Sequence, residues 1–235
     1  MFFSRTSLAF YRLAAWLAQP LLRDKLVRRA RSEPGYAVAV PERFGTYATP
    51  DAPLPAENTP PRVWLHAVSL GEMRAAAVLL PELRTALPGM SLVLTTGTAT
   101  GREAGAEILR EGDELIWQPW DTTAAVRRFF EHAKPDIGLL METEIWPNLL
   151  HEAKVRGVPV ALVNARLSER SLRKARAGGW LMRPAYASLT AAWAQTEADA
   201  AMQFLVWAKE TWAIPDKMLY PNDPLLLIFG CKAIG

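Results

Sequence analysis

The chain contains a single cysteine, Cys231, in 235 residues. An internal disulfide framework and any cysteine-rich zinc site are thereby excluded, and a reducing, cytosol-facing compartment fits best. Histidine is nearly as scarce. His66, His132 and His151 show no HExxH and no paired-ligand spacing, so a metal centre has little support. No glycine fingerprint of the GxxxxGK[ST] or GxGxxG kind occurs, which disfavours a P-loop or a dinucleotide site. Charge of one sign is not in large excess, since 27 Lys and Arg stand against 24 Asp and Glu. Nucleic acid is not an indicated partner. Internal repeats and low-complexity tracts are absent. Apolar residues, by contrast, are plentiful: half the chain is hydrophobic, 22% is charged and the mean hydropathy is +0.02. That composition is far from a disordered chain and supplies a sizeable core. At roughly 100–200 residues per domain, the length allows one large domain or two small ones.

The amino terminus is apolar and then basic. Ser7 to Leu22 is broken by Arg12, with Gln19 and Pro20 near its end, and is marginal against the roughly 20 apolar residues that a span requires. No small-residue cleavage site closes it. Arg23, Lys25, Arg28, Arg29 and Arg31 follow, each worth about 1 kcal/mol at best against an anionic leaflet. With Phe10, Tyr11, Leu13, Trp16 and Leu17 they describe an interfacial anchor helix over residues 1–31, facing an anionic membrane surface on the cytoplasmic side. The plainer alternative is an amphipathic helix packed on the domain behind it. Residues 32–61 carry Pro34, Pro41, Pro50, Pro53, Pro55, Pro60 and Pro61. Such a density of ring-locked residues excludes a helix or a central strand and marks a linker or ordered loop, with a turn at 41–45.

From residue 62 a regular alternation begins. Buried strands are expected at Val63–Val68, Ser91–Thr96, Glu114–Gln118, Asp136–Met141, Val158–Val163 and Thr190–Gln195. Helical patterns lie near 72–87, 100–110, 122–133, 147–156 and 168–188, and Pro81 should kink or restart the first. Strands alternating with helices of this length predict an α/β domain with a doubly wound, Rossmann-like parallel sheet over 62–201.

In such sheets the ligand lies outside the carboxyl ends of the strands, so the chemistry is read from the strand-to-helix turns. These are Ser69-Leu70-Gly71-Glu72, Gly97-Thr98-Ala99-Thr100-Gly101, Glu142-Thr143-Glu144-Ile145-Trp146-Pro147-Asn148 and Asn164-Ala165-Arg166-Leu167-Ser168. Gly97 and Gly101 read as turn glycines rather than a phosphate cradle. Glu72 opens a helix, where the positive helix end favours the ionised carboxylate by about 0.3–1 kcal/mol. It is either a base at the sheet edge or ordinary first-turn charge complementarity on a surface. Glu142 and Glu144 are one residue apart on an extended segment, so at most one faces the cleft. Arg166, Arg170, Arg173, Lys174, Arg176 and Arg183 form a solvated basic face or, with Asn164 and Ser168, a holder for an anionic group.

Together these turns resemble one family, the bacterial 3-deoxy-D-manno-octulosonic acid (Kdo) transferases of lipid A glycosylation. The resemblance rests on Tyr11-Arg12 through Arg31, Glu42-Arg43-Phe44-Gly45, His66-Ala67-Val68-Ser69-Leu70-Gly71-Glu72, Thr95 to Gly101, Met141 to Leu149 and Asn164 to Ser171. It runs in order to about Ala201. It implies the amino-terminal, acceptor-binding half of a GT-B glycosyltransferase at the cytoplasmic face of the inner membrane. The implied partners are CMP-Kdo as donor substrate, used only if a donor domain is supplied, and a phosphorylated lipid A precursor as acceptor. The implied reaction is inverting and needs no metal or other cofactor. Glu72 is then the general base and Glu142 the transition-state stabiliser, while Ser69, Gly71, Asn164, Arg166 and Ser168 contact the acceptor. Residues 202–235 have no counterpart in the family and read as a shifted frame or degraded gene, so the donor half is expected to be missing. The alternative is a catalytically silent, membrane-associated domain that binds lipid A precursor.

Overall fold

The computed structural model describes residues 5–48, 59–142, 145–165, 185 and 188–194. Six strands form one wholly parallel sheet: β1 (Arg62–His66), β2 (Ser91–Thr96), β3 (Glu114–Trp117), β4 (Ile137–Met141), β5 (Val160–Ala165) and β6 (Ala191–Ala194). Their order is β3-β2-β1-β4-β5-β6, the doubly wound arrangement the alternation predicts. The strands read as continuous apolar runs because helices cover both faces. Val63 and Leu65 pack with Met73, Leu80 and Leu94 on one side, while Trp64 packs with Phe129, Phe130 and Leu149 on the other. All of these side chains are buried. In register, Leu65 lies between Leu94 of β2 and Leu139 of β4.

Among the described residues, six α-helices accompany the sheet: α1 (Arg5–Leu17), α2 (Gln19–Ser32), α3 (Leu70–Ala86), α4 (Ala99–Ala106), α5 (Thr123–Ala133) and α6 (Pro147–Val155). Four elements differ from the sequence reading. The amino-terminal stretch is two helices rather than one, joined at Ala18. Helix α3 runs through Pro81 without a restart. Its proline costs one backbone bond, and the buried Leu80 and Leu83 hold the turn on either side. The proline-rich stretch does contain helix, as two 3-10 turns at Pro34–Ala37 and Val40–Phe44. Pro34 opens the first turn and Pro41 is the second residue of the other, positions whose N–H has no partner within the turn. Finally, β5 starts and ends two residues later than expected, which draws Asn164 out of the following turn and into the strand. Most of the helix expected at 168–188 and all of residues 202–235 lie outside the described residues.

Both amino-terminal helices dock on the domain. The α1 side chains of Tyr11 and Arg12 bond to Asp121 and Asn148. Leu26 of α2 is buried with Tyr36 and Ala99. The opposite face of α1 is exposed and apolar, with Leu13, Trp16 and Leu17 each more than half exposed. No described helix is long and apolar enough to cross a membrane.

Candidate active site

The strand order reverses between β1 and β4. The chain leaving β1 turns to α3 on one face, and the chain leaving β4 turns to α6 on the other. Divergence of two connections at a carboxyl edge opens a crevice between them. Glu72 and Glu142 stand on its two sides.

Glu72 is the third residue of α3, and Ser69 caps that helix. Ser69 Oγ accepts the Glu72 N–H at 3.4 Å. The carboxylate then reaches back, its Oε1 accepting the Ser69 hydroxyl and its Oε2 the Val68 N–H, both at 2.9 Å. This is a reciprocal cap spelled by Ser-x-x-Glu. Glu72 is only 7% exposed, so the surface-charge alternative is removed. The direction of its pKa is also corrected. Burial pushes the carboxyl above its ordinary value, the Val68 and Ser69 bonds pull part of the way back, and the nearby Glu142 charge pushes it up again. The helix end does not dominate. A base with raised proton affinity is better matched to taking a proton near neutral pH.

The neighbouring turn is tied to this one. The Val68 carbonyl accepts from the Gly97 N–H and from the Thr96 and Thr98 hydroxyls, each at 3.1 Å. A Cβ on Gly97 would fall 2.8 Å from Val68 Cγ1, and one on Gly101 2.5 Å from Thr96 Oγ1. Both glycines therefore serve close packing between turns. Gly71 differs, since a Cβ there would meet only Ser69 Oγ at 3.9 Å. Gly71 is exposed on that open side.

Across the crevice, Glu142 directly follows β4, its N–H on the Val163 carbonyl at 2.9 Å. Its φ is +57°, and Asn164 on the adjacent strand has φ +56°. Left-handed backbone at a residue other than glycine costs on the order of 1–3 kcal/mol and persists where surrounding structure imposes it, often at functional sites. Asn164 lies within the interval where the β5–β6 register shifts, between Leu162 and Ala165. Two of the expected site residues thus carry the same unusual backbone on neighbouring strands. Arg166, Ser168 and Glu144 lie outside the described residues.

Several polar residues at this edge were not singled out from the sequence. His66 ends β1 fully buried, its Nδ1 2.8 Å from Thr95 Oγ1, which also accepts the Trp64 indole N–H at 2.8 Å. Burial lowers its pKa to about 4, against opposing bonds from Thr95 and Gln118. Arg43 is 6% exposed, donates to the Gly97 carbonyl at 3.2 Å and lies 3.9 Å over the Trp117 ring. Burial lowers it to about 10. Its neighbour Glu42 pairs with Arg102 and accepts the Trp117 N–H at 2.8 Å. The Glu-Arg-Phe-Gly motif therefore ties the proline-rich segment to the sheet edge beside the site. Only the motif itself marked these residues in the sequence. Among the described residues no group of three or more His, Cys, Asp or Glu could hold a metal ion.

The parallel order and its reversal between β1 and β4 define a Rossmann-like α/β domain, a class in which ligands lie outside the carboxyl ends of the strands. Residues 39–214 match the family model described as 3-Deoxy-D-manno-octulosonic-acid transferase (kdotransferase), and the chain belongs to that family. A 3-deoxy-D-manno-octulosonic acid transferase of Bordetella pertussis is 45% identical over 201 residues, covering 81% of this chain and 45% of that protein. One from Haemophilus influenzae is 32% identical over 165 residues, covering 70% and 38%. The chain thus spans less than half the length of these relatives. Among solved structures, UDP-GlcNAc 2-epimerase from Neisseria meningitidis bound to UDP-GlcNAc superposes with a TM-score of 0.46 at 16% identity, covering 67% of this chain and 44% of that one.

Proposed function

We propose that this chain is the acceptor-binding, amino-terminal half of a GT-B glycosyltransferase that moves Kdo from CMP-Kdo to a phosphorylated lipid A precursor. The reaction is inverting, with CMP-Kdo as a substrate and no resident cofactor or metal. Glu72 takes the proton of the acceptor hydroxyl as its oxygen bonds to the anomeric carbon. The bond from that carbon to the CMP phosphate breaks with its electron pair, and CMP leaves. Glu142, as a carboxylate, stabilises positive charge developing at the anomeric carbon. Ser69, Gly71 and Asn164, with Arg166 and Ser168, meet the acceptor. The observation that carries this reading is the placement of Glu72 and Glu142 across one crevice, close enough for the charge of one to raise the proton affinity of the other.

The site works at the cytoplasmic face of the inner membrane, where the exposed apolar face of α1 and the basic residues from Arg23 to Arg31 meet anionic lipid. Removing residues 1–31 should abolish pelleting with anionic vesicles, and salt should weaken pelleting of the parent. Equal pelleting of both chains would end the anchor reading. For the chemistry, the 235 residues are expected to transfer no Kdo alone, because binding two substrates in one geometry accounts for roughly 7–11 kcal/mol of barrier lowering. Joined to the donor-binding half of a relative, the same chain should transfer Kdo. Glu72→Gln should then cut the rate on the order of 10²–10⁴-fold. Near-normal turnover in that variant would reject Glu72 as the base.

A further inference from the structure

Helix α6 begins at Pro147, directly after the connection that carries Glu142, and no side chain of its own segment caps it. The cap comes from elsewhere in the chain. Asp121, in the connection after β3, accepts the Asn148 N–H on Oδ2 at 3.0 Å and the Leu149 N–H on Oδ1 at 2.9 Å. The Asn148 side chain returns a bond from Nδ2 to the Asp121 carbonyl at 2.6 Å. Helix α1 closes the arrangement. The Tyr11 hydroxyl donates to the same Asp121 Oδ2 at 2.7 Å, and Arg12 Nε donates to Asn148 Oδ1 at 3.0 Å. Asp121 and Asn148 are both almost fully buried. Glu142 and Asn148 are therefore each held by the fold around them, Glu142 by its N–H on Val163 and Asn148 by this cluster. A left-handed residue such as Glu142 relaxes unless its surroundings impose that backbone.

We propose that Asp121, together with Tyr11 and Arg12 of α1, are positioning residues that hold the Glu142 turn through the amino terminus of α6, so that the placement of Glu142 depends on α1 being seated. This rests on the reading that Glu142 and Glu72 share one site. The helix is two-sided in the required sense: its polar latch faces the domain, and Leu13, Trp16 and Leu17 on the other side are free to lie on an apolar surface.

The test is a carboxyl 13C NMR titration of Glu72 in this chain, in Tyr11→Phe, in Arg12→Gln, in Glu142→Gln and in Leu13→Ala. Because the Glu142 charge raises the Glu72 midpoint, a displaced Glu142 lowers it. Both latch variants should move the midpoint down towards that of Glu142→Gln, and Leu13→Ala should leave it in place. Amide exchange at Asn148 and Leu149 should quicken on the order of tenfold in the latch variants, the scale of one lost bond to a charged group, with β1 and β2 unchanged. Two latch variants are used because Tyr11→Phe keeps the ring while Arg12→Gln keeps the hydroxyl bond. A Glu72 midpoint that stays at the parent value in both, while Glu142→Gln shifts it, would overturn the positioning role alone. A midpoint unmoved even by Glu142→Gln would overturn the shared-site reading and the proposal with it.

Discussion

Acidification should reveal the buried His66 at the end of β1. The imidazole is inaccessible to solvent, and Thr95 Oγ1 already accepts the Trp64 indole N–H, leaving the threonine proton for His66 Nδ1. That arrangement suits neutral imidazole and leaves a charged ring without water. Its pKa falls from 6.5 to about 4, which at about 1.4 kcal/mol per pH unit corresponds to about 3 kcal/mol. A depressed folded-state pKa gives stability that is fully present above 6.5 and lost as pH falls through about 4. The comparison is urea unfolding of the parent and of His66→Gln between about pH 7 and pH 4. Glutamine does not titrate, and the carboxylates common to both chains cancel in the difference. The variant, whatever its stability at neutral pH, should gain about 3 kcal/mol on the parent over that interval. A level difference curve would refute the reasoning, since it would mean that His66 takes its proton as easily folded as unfolded.

Asp121 should behave with the opposite sign. Burial raises its carboxyl from 3.8 to about 6, against the bonds from Tyr11, Asn148 and Leu149. It therefore adds stability as pH falls from about 6 to 3.8, and Asp121→Asn should flatten that rise in the same unfolding series. Glu72→Ala should cost about 2 kcal/mol in urea unfolding, because the Val68 N–H and the Ser69 hydroxyl lose their acceptor. An unchanged midpoint would show that the cap is dispensable. Glu142→Gly should raise stability by about 0.5–1 kcal/mol through relief of its left-handed backbone, whereas Glu142→Ala should not; equal midpoints for the two would contradict strain at that residue. Gly138→Ala should destabilise by about 1–3 kcal/mol or more, since a Cβ there would lie 2.6 Å from Trp64 Cε3 in the middle of the sheet. Tolerance of it at full stability would mean that the Trp64 ring can move aside.

The sheet and the edge where its chemistry sits were both legible in the sequence. Strands buried on two faces show as unbroken apolar runs such as Ile137 to Met141, and short turns between alternating elements force a parallel sheet. Ser69 and Glu72 lie three residues apart, so a local rule sufficed to place both at the start of α3. What stayed hidden depends on contacts between residues far apart in the chain. The burial that reverses the expected pKa direction of Glu72 comes from packing around the crevice, and the charge that adds to it comes from Glu142 on another strand. The 3-10 turns at Pro34–Ala37 and Val40–Phe44 are held by the buried Tyr36, Glu42 and Arg43, whose partners Trp117, Gly97 and Arg102 come later in the chain. Likewise, Asp121 next to Thr122 reads locally as part of the start of α5, yet its carboxylate caps α6 and receives the Tyr11 hydroxyl. Local propensity reaches about one helical turn along the chain, whereas a buried carboxylate takes whichever donors the packed elements bring to it. Local pattern determined the architecture and the turn that carries the base. Only the tertiary structure determined which buried groups hold that turn and the Glu142 turn in place.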